Sequence, residues 1–285
     1  MQMKIALISD THFASVAKDF VANGRAACAW VDEIGADLTV HLGDITADGV
    51  IAPEHFSTAS EVLSALKTPL KLLPGNHDVG DNPRPAASPV REPILNAEAL
   101  ALYRRTFGAD HWSFQEGAWT ALGLNAQLFG LGDLEEATQL AWLDQALASA
   151  RGPIGLMLHK PLFRTAPDDG DAHHRYIPPR SRPALFKLLE GKDLRFVVSG
   201  HTHQARRYMY AGVEHVWAPS TAFTIPDRLQ ERIGEKTVGV MTLHLEPDGH
   251  RFEIFRPIGV NQHDLGDYAD VYPRLAQAGR SIADE

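Results

Sequence analysis

Apolar positions along the chain follow two periods. Five short β-type runs, "KIALISDTH", "DLTVHLGD", "LKLLPGNHD", "IGLMLHK" and "LRFVVSGHTH", each stop at a residue able to bind a metal or move a proton. Between them apolar residues recur at helical spacing: Val16, Phe20, then Trp30, Val31 and Ile34; Phe56, Ala59, Leu63 and Leu66; Leu140, Leu143 and Leu147. Strand then helix, repeated, predicts an α/β fold. From about Tyr208 to Ile258 the pattern turns β-rich, in "VEHVWAPS", "TVGVMTLHLE" and "RFEIFRP", with "PDG" as a hairpin turn. This part, about 205–258, is expected to form a second sheet packing on the first. "DYADVYPRLAQAG" predicts a short helix near the C-terminus.

In open α/β sheets the ligand lies beyond the carboxyl ends of the strands. Five strands ending in Asp, Asn or His would therefore bring those groups to one rim. Any one of them can be a helix cap or a turn residue; their convergence is what carries weight. The candidates are Asp10, His12, Asp44, Asn76, His159, His201 and His203. Mixed carboxylate, amide-oxygen and imidazole ligands suit Mn, Fe, Co or Zn, and so many histidines suit magnesium poorly. The set is too large for one metal that keeps an open position. Two metals sharing a carboxylate would use it all.

Composition narrows the class. The chain has 285 residues, 44% hydrophobic, enough for a large core, and no linker divides it, so one domain over residues 1–285 is expected. The single cysteine, Cys28, excludes an intramolecular disulfide and thiolate zinc sites. "MQMKIALISD" carries Lys4 and Asp10 around too short an apolar stretch for a signal peptide, so the expected location is cytoplasmic. No apolar run is long enough for a membrane span. A net charge of -9 without a basic block argues against a nucleic-acid polymer as partner and leaves small substrates, anionic ones included. A homo-oligomer stays open.

The set Asp10-x-His12, Gly43-Asp44, Gly75-Asn76-His77-Asp78, His159 and Gly200-His201-Thr202-His203, in this order, resembles the calcineurin-like metallophosphoesterase superfamily over residues 4 to 203. The resemblance implies two mixed β-sheets packed as a sandwich and flanked by helices, the four-layer metallophosphoesterase fold. It implies that Asp10, His12 and His203 bind one metal, that Asn76, His159 and His201 bind the other, and that Asp44 bridges them. It implies a dinuclear-metal phosphodiesterase whose nucleophile is a hydroxide formed from metal-acidified water. His77 would face the substrate and protonate the leaving alkoxide or steady charge on the phosphoryl oxygens, with Asp78 holding its ring.

Departures from relatives sharpen this. "HKPLF" puts Lys160 where many members have a second histidine, and Ala47 stands where purple acid phosphatases have a tyrosine. "GDITADG" and "GNHD" lack the arginine and glutamate of protein Ser/Thr phosphatases. "TQLAWLDQALASA" running into "GPIGLMLHKPL", and "HVWAPSTAF", are similar to cyclic-nucleotide phosphodiesterases and glycerophosphodiesterases. The expected substrate is a small phosphodiester of those types; a phosphomonoesterase, a nuclease and a non-catalytic scaffold are the rivals. The proline-rich stretches 79–93 and 164–183 are expected to form long loops at the rim that wall the substrate, with Arg164, His173, His174 and Arg175 as candidate contacts. His41, His55, His111, His215, His244, His250 and His263 lack convergent spacing and read as core or surface fillers. Trp30, Trp142 and Trp217 read as core.

Overall fold

The computed structural model describes residues 2–84, 93–169 and 174–272. Side-chain alternation along the first strand, β1 (Met3–Ile8), sets the layering. Ile5 and Leu7 enter one buried cluster with Val40, Met157, Phe196 and Val198; Ala6 and Ile8 enter another with Ala27 and Val31. Both faces of the strand are dry, which is why its sequence is a continuous apolar run. The first cluster lies between two sheets. The second lies between β1 and α1 (Lys18–Glu33), whose buried Phe20, Ala27 and Val31 keep the helical spacing.

One sheet continues from β1 through the parallel strands β2 (Leu38–His41) and β3 (Leu70–Leu72). On the other side β10 (Val240–Glu246) and β11 (Gly249–Phe255) pair antiparallel, giving the order β11-β10-β1-β2-β3. The second sheet contains β4 (Trp112–Glu116), β5 (Trp119–Leu124), β6 (Ile154–Leu158), β7 (Leu194–Ser199), β8 (Arg206–Tyr210) and β9 (Val213–Trp217), in the order β4-β5-β6-β7-β9-β8. Strands β5, β6, β7 and β9 run parallel, with β4 and β8 antiparallel at the edges. Helices α5 (Leu134–Ser149) and α6 (Arg182–Leu189) cover its outer face through Leu143, Leu147, Leu185 and Leu189. Helices α2 (His55–Leu63) and α4 (Ala97–Phe107) and the four-residue α3 (Asn76–Val79) share another cluster beside β3. The fold class is thus two mixed sheets packed as a sandwich with helices outside.

Four expectations change. The five motif strands do not lie in one sheet: β1, β2 and β3 belong to the first, β6 and β7 to the second. The β-rich part at 205–258 divides too, since β8 and β9 extend the second sheet but β10 and β11 join β1. Met241, Leu243 and Leu245 bury on the inner face and Val240 on the outer, so β10 fits only a position dry on both sides. Val16, 63% exposed, precedes α1 in a turn, and Leu66 lies beyond α2. Trp217 is buried, but Trp30 and Trp142 are half-buried on helix flanks.

The predicted "PDG" turn joins β10 to β11, with Glu246 paired to Gly249. The described start of the predicted terminal helix, 267–272, continues a 3-10 turn at Leu265–Asp267 as turn rather than helix, and the rest of it lies outside the described residues. In the stretch expected as a loop at 164–183, a 3-10 turn at Pro179–Ser181 leads into α6, because Pro183 sits in the first helical turn, where its missing N–H costs nothing. No helix among the described residues is long and apolar enough to cross a membrane.

Cys28 is 4% exposed in the face of α1. Burial, with the Asp32 charge behind it, pushes its thiol up to about 12. The native protein should therefore resist 5,5′-dithiobis(2-nitrobenzoate) at pH 8 and react fully once unfolded in guanidinium. Labelling of the native chain at the rate of a free thiol would contradict this packing.

Candidate metal centre

The seven predicted ligands follow β1, β2, β3, β6 and β7, at the strand ends where the two sheets meet. Backbone hydrogen bonds lace these loops together: Asp10 N–H to Gly43 C=O at 3.0 Å, His12 N–H to Asp44 C=O at 3.1 Å and Gly200 N–H to His159 C=O at 2.9 Å. Among the described residues six non-glycines have positive φ, and five of them are Asp10, His12, Asp44, His201 and His203. Each such residue is strained, and strain held by surrounding structure collects at functional sites. Here it turns side chains inward that an extended strand would send to opposite faces.

Two motif glycines make that crowding possible. A Cβ on Gly200 would lie 1.9 Å from Ser9 Oγ and 2.5 Å from Asp10 Oδ2, and a Cβ on Gly75 would lie 2.1 Å from Asp44 Oδ1. The glycine before each ligand is the space the neighbouring carboxylate occupies.

Two buried clusters result, Asp10, His12, Asp44 and His203 on one side and Asp44, His159 and His201 on the other, each with its ligand atoms within 4.8 Å of one another. Asp44 belongs to both. Asn76 joins the second, its Oδ1 3.2 Å from His159 Nε2. Tautomers follow from the far side of each ring. In neutral His203, Nδ1–H donates to Phe223 C=O at 2.8 Å, which leaves Nε2 a lone pair 3.3 Å from Asp10 Oδ1. In neutral His159, Nδ1–H donates to Leu42 C=O at 2.9 Å, which leaves Nε2 a lone pair 3.2 Å from Asp44 Oδ2. In these neutral forms acceptor faces acceptor and repels, and a positive charge between them, a proton on His159 or a metal ion, reverses the sign. His12 Nε2 and His203 Nε2 stand 3.2 Å apart, and His201 Nδ1 lies 3.1 Å from His159 Nε2 while its own Nε2 is buried and unbonded. The donor set therefore fits a dimetal site of borderline dications.

Electrostatics agree. Burial, then the nearby His77 charge, holds His12 well below its usual range, and burial with the Lys160 charge does the same for His201. Burial opposes charge on Asp44, but His159 and His77 outweigh it and keep that carboxyl ionised well below its usual value. The reciprocal pull of Asp44 raises His159 against its own burial. A metal would compete for that same carboxylate.

His77 sits beside the clusters, half-buried, its ring 4.8 Å from that of His12. Its backbone N–H donates to Asp44 Oδ1 at 2.8 Å and its Nδ1–H to Ala47 C=O at 2.6 Å. Asp78 does not hold that ring, contrary to expectation. It is fully buried at the third position of α3 and accepts from the backbone N–H groups of Gly75, Ile45 and Thr46 and from Thr46 Oγ1. Burial and the neighbouring Asp44 charge push it up to about 6. Asp78 ties the Asp44 loop to the Asn76 loop.

Three contributors escaped sequence reasoning. His41, read as a filler, lies fully buried beneath the rim. Its Nδ1 accepts from Gly43 N–H at 3.2 Å, its Nε2–H donates to Thr11 Oγ1 at 2.9 Å, and burial pulls it down to about 3. Ser9 Oγ donates to Asp10 Oδ2. Tyr272 Oη lies 2.8 Å from His12 Nδ1. Only His41 carried a signal, its place at the end of "LTVH". Lys160 is buried against Asp81 and donates to Asn82 Oδ1 at 2.9 Å, so it anchors the loop after α3. Arg164 pairs with Glu231 at 2.8 Å, Arg175 reaches Leu229 C=O at 3.5 Å, and His174 offers its carbonyl to Lys160 at 2.6 Å. His173 lies outside the described residues, as do 85–92 of the first expected loop. The described parts of the two stretches do meet around a cavity of about 240 Å3, lined by Asp81, Arg84, Lys160, Tyr176 and Arg180 among others.

A sandwich with two imidazole and carboxylate clusters sharing one aspartate defines a dimetal-type, metal-dependent phosphoesterase. The chain belongs to the calcineurin-like phosphoesterase family, which matches it over residues 3–205. It is 28% identical over 218 residues to a 3′,5′-cyclic-nucleotide phosphodiesterase of Nostoc sp., covering 75% of this chain and 73% of that one. It is 30% identical over 156 residues to the serine/threonine-protein phosphatase CPPED1 of Homo sapiens, covering 52% of this chain and 46% of that one. A dimetal phosphatase from Danio rerio shares the fold with a TM-score of 0.62 at 16% identity, over 88% of this chain and 95% of that one.

Gly200→Ala tests the crowding. It should destabilise the protein by about 1–3 kcal/mol in urea unfolding, as an overpacked core does. Gly249→Ala, where an added Cβ meets open space, should stay within about 0.5 kcal/mol of wild type. Equal midpoints for the two variants would refute the close approach.

Proposed function

We propose that the chain is a phosphodiesterase acting on small phosphodiesters of cyclic-nucleotide or glycerophosphodiester type, with Asp10, His12, Asp44 and His203 holding one divalent ion and Asp44, Asn76, His159 and His201 the other. The observation that carries the phosphoesterase reading is Asp44, shared by both clusters and turned inward at φ 51°. Bound there, two dications supply positive charge for phosphoryl oxygens and a lowered pKa for water. The chain's own residues prepare the rest. Ala47 C=O fixes Nδ1–H of His77, so Nε2 is the atom left to carry a proton to a leaving alkoxide. Asp78 acts through position, by fixing the Asn76 and Asp44 loops against each other.

The diester reading is supported by a relative aligned over most of both chains, whereas the serine/threonine phosphatase aligns over about half of each. The -9 charge disfavours a polyanionic polymer. A monoesterase is the second reading, favoured by that phosphatase's 30% identity.

Metal-loaded enzyme should hydrolyse bis(p-nitrophenyl) phosphate with a higher kcat/KM than p-nitrophenyl phosphate; equal or faster monoester turnover would overturn the diester preference. Asp44→Ala should abolish turnover and release metal on dialysis, read by elemental analysis. His77→Ala should retain metal but slow turnover by about a hundredfold or more, on the scale of a lost general acid. Unimpaired activity of Asp44→Ala would remove its bridging role.

A further inference from the structure

The residues after β11 lie beyond the part matched by the family, yet they return to the rim. Leu265 N–H donates to Thr224 C=O and Thr224 N–H to His263 C=O, both at 2.9 Å, which pins the segment along the loop after β9. Tyr268 packs its ring on Phe20 at 4.5 Å and donates its hydroxyl to Asp19 at 2.9 Å. Val271 and Tyr272 pack against the cluster of Phe20, Ala47 and Phe223. At the end of this strap the Tyr272 phenol reaches His12 Nδ1 at 2.8 Å, with its ring edge-on to His12, His77 and Phe223 at 5.8–6.0 Å.

His12 is the ligand whose far nitrogen needs this contact. His203 and His159 give their Nδ1–H to backbone carbonyls. His12 Nδ1 instead meets the hydroxyl of a side chain from 260 residues downstream. Its ring is 1% exposed, so an Nδ1–H left without an acceptor would be buried at the full desolvation cost. A hydroxyl accepts as well as donates, so it can leave Nε2 as the lone pair facing His203 Nε2 and Asp44. Outer partners of this kind fix a ligand's tautomer and orientation, and their loss commonly costs ten- to a hundredfold in metal affinity.

We propose that Tyr272 is a positioning residue for His12, holding the ring in the tautomer that turns Nε2 inward, so that the segment 264–272 is part of the metal centre. The proposal rests on the ligand assignment above and deepens it. Tyr272→Phe keeps the ring and removes only the hydroxyl. With the full-length variant, chelator-competition titration with Co(II) should show one of two sites weakened about tenfold or more, the other unchanged, and the urea midpoint as in wild type. The 15N shift of His12 Nδ1, read on the metal-free protein, should move as well. Two wild-type Co(II) affinities in Tyr272→Phe would overturn the proposal, as would both sites weakening together with a lowered midpoint, the mark of a merely structural contact. If wild-type protein binds no Co(II), the function proposed above fails by itself. The His12 shift then decides alone, and an unchanged Nδ1 in Tyr272→Phe overturns the tautomer role.

Discussion

Crowding of buried carboxylates and imidazoles at one rim is the constraint on which the rest of the structure depends. Asp10 Oδ1 lies 3.3 Å from His203 Nε2, and Asp44 Oδ2 lies 3.2 Å from His159 Nε2, all of them buried. Polar groups buried this close together lose their hydration and do not assemble by themselves. They are forced together by a scaffold whose own stability does not come from them. The forcing is visible in the five inward-turned candidate ligands at positive φ and in the backbone hydrogen bonds that lace their loops. Those bonds leave the side chains little room to relax outward.

The sandwich supplies that scaffold. Its inner cluster takes Ile5, Leu7 and Val40 from the first sheet and Met157, Phe196 and Val198 from the second, so burial clamps the ends of β1 and β2 against those of β6 and β7. Each fully buried side chain of this kind stabilises by about 1.5–3 kcal/mol relative to exposure. Several together outweigh the cost of the strained residues, at about 1–3 kcal/mol each. The clamp also explains why a single sheet would not serve. Asp10 and Asp44 come from the first sheet, His159, His201 and His203 from the second, so the two clusters straddle the seam between them.

Much of this was legible because it is periodic or local. The five apolar runs ending in Asp, Asn or His mark β1, β2, β3, β6 and β7, and the strand-helix alternation gives the fold class. What stayed hidden depends on partners distant in sequence. Nothing in "TVGVMTLHLE" says that β10 pairs with β1, 238 residues or so upstream, because a strand dry on both faces reads the same in either sheet. Asp78 looked like a partner for His77 because they are adjacent. As the third residue of α3 it turns back to Gly75 N–H and the Thr46 loop instead. Tyr272 carried no sign at all, since its role is set by where the chain returns in space.

The seam has a consequence for how much chain the chemistry needs. The family match ends at residue 205, just past the last candidate ligand, His203. Yet β10 is the neighbour of β1 in the first sheet, and without it that strand would present an unpaired edge beside the Asp10 loop. Phe223 C=O sets the tautomer of His203, and Ser220 Oγ donates to Asp10 C=O at 3.0 Å. Asn23 of α1 donates to Thr221, Ala222 and Asn261 carbonyls, tying the first helix to the late loops. The candidate ligands are thus encoded before residue 205, but the groups that meet the far sides of His12 and His203 are encoded after it. Cutting the chain at the end of the motifs would leave every candidate ligand present and remove the partners of His12, His203 and the Asp10 carbonyl.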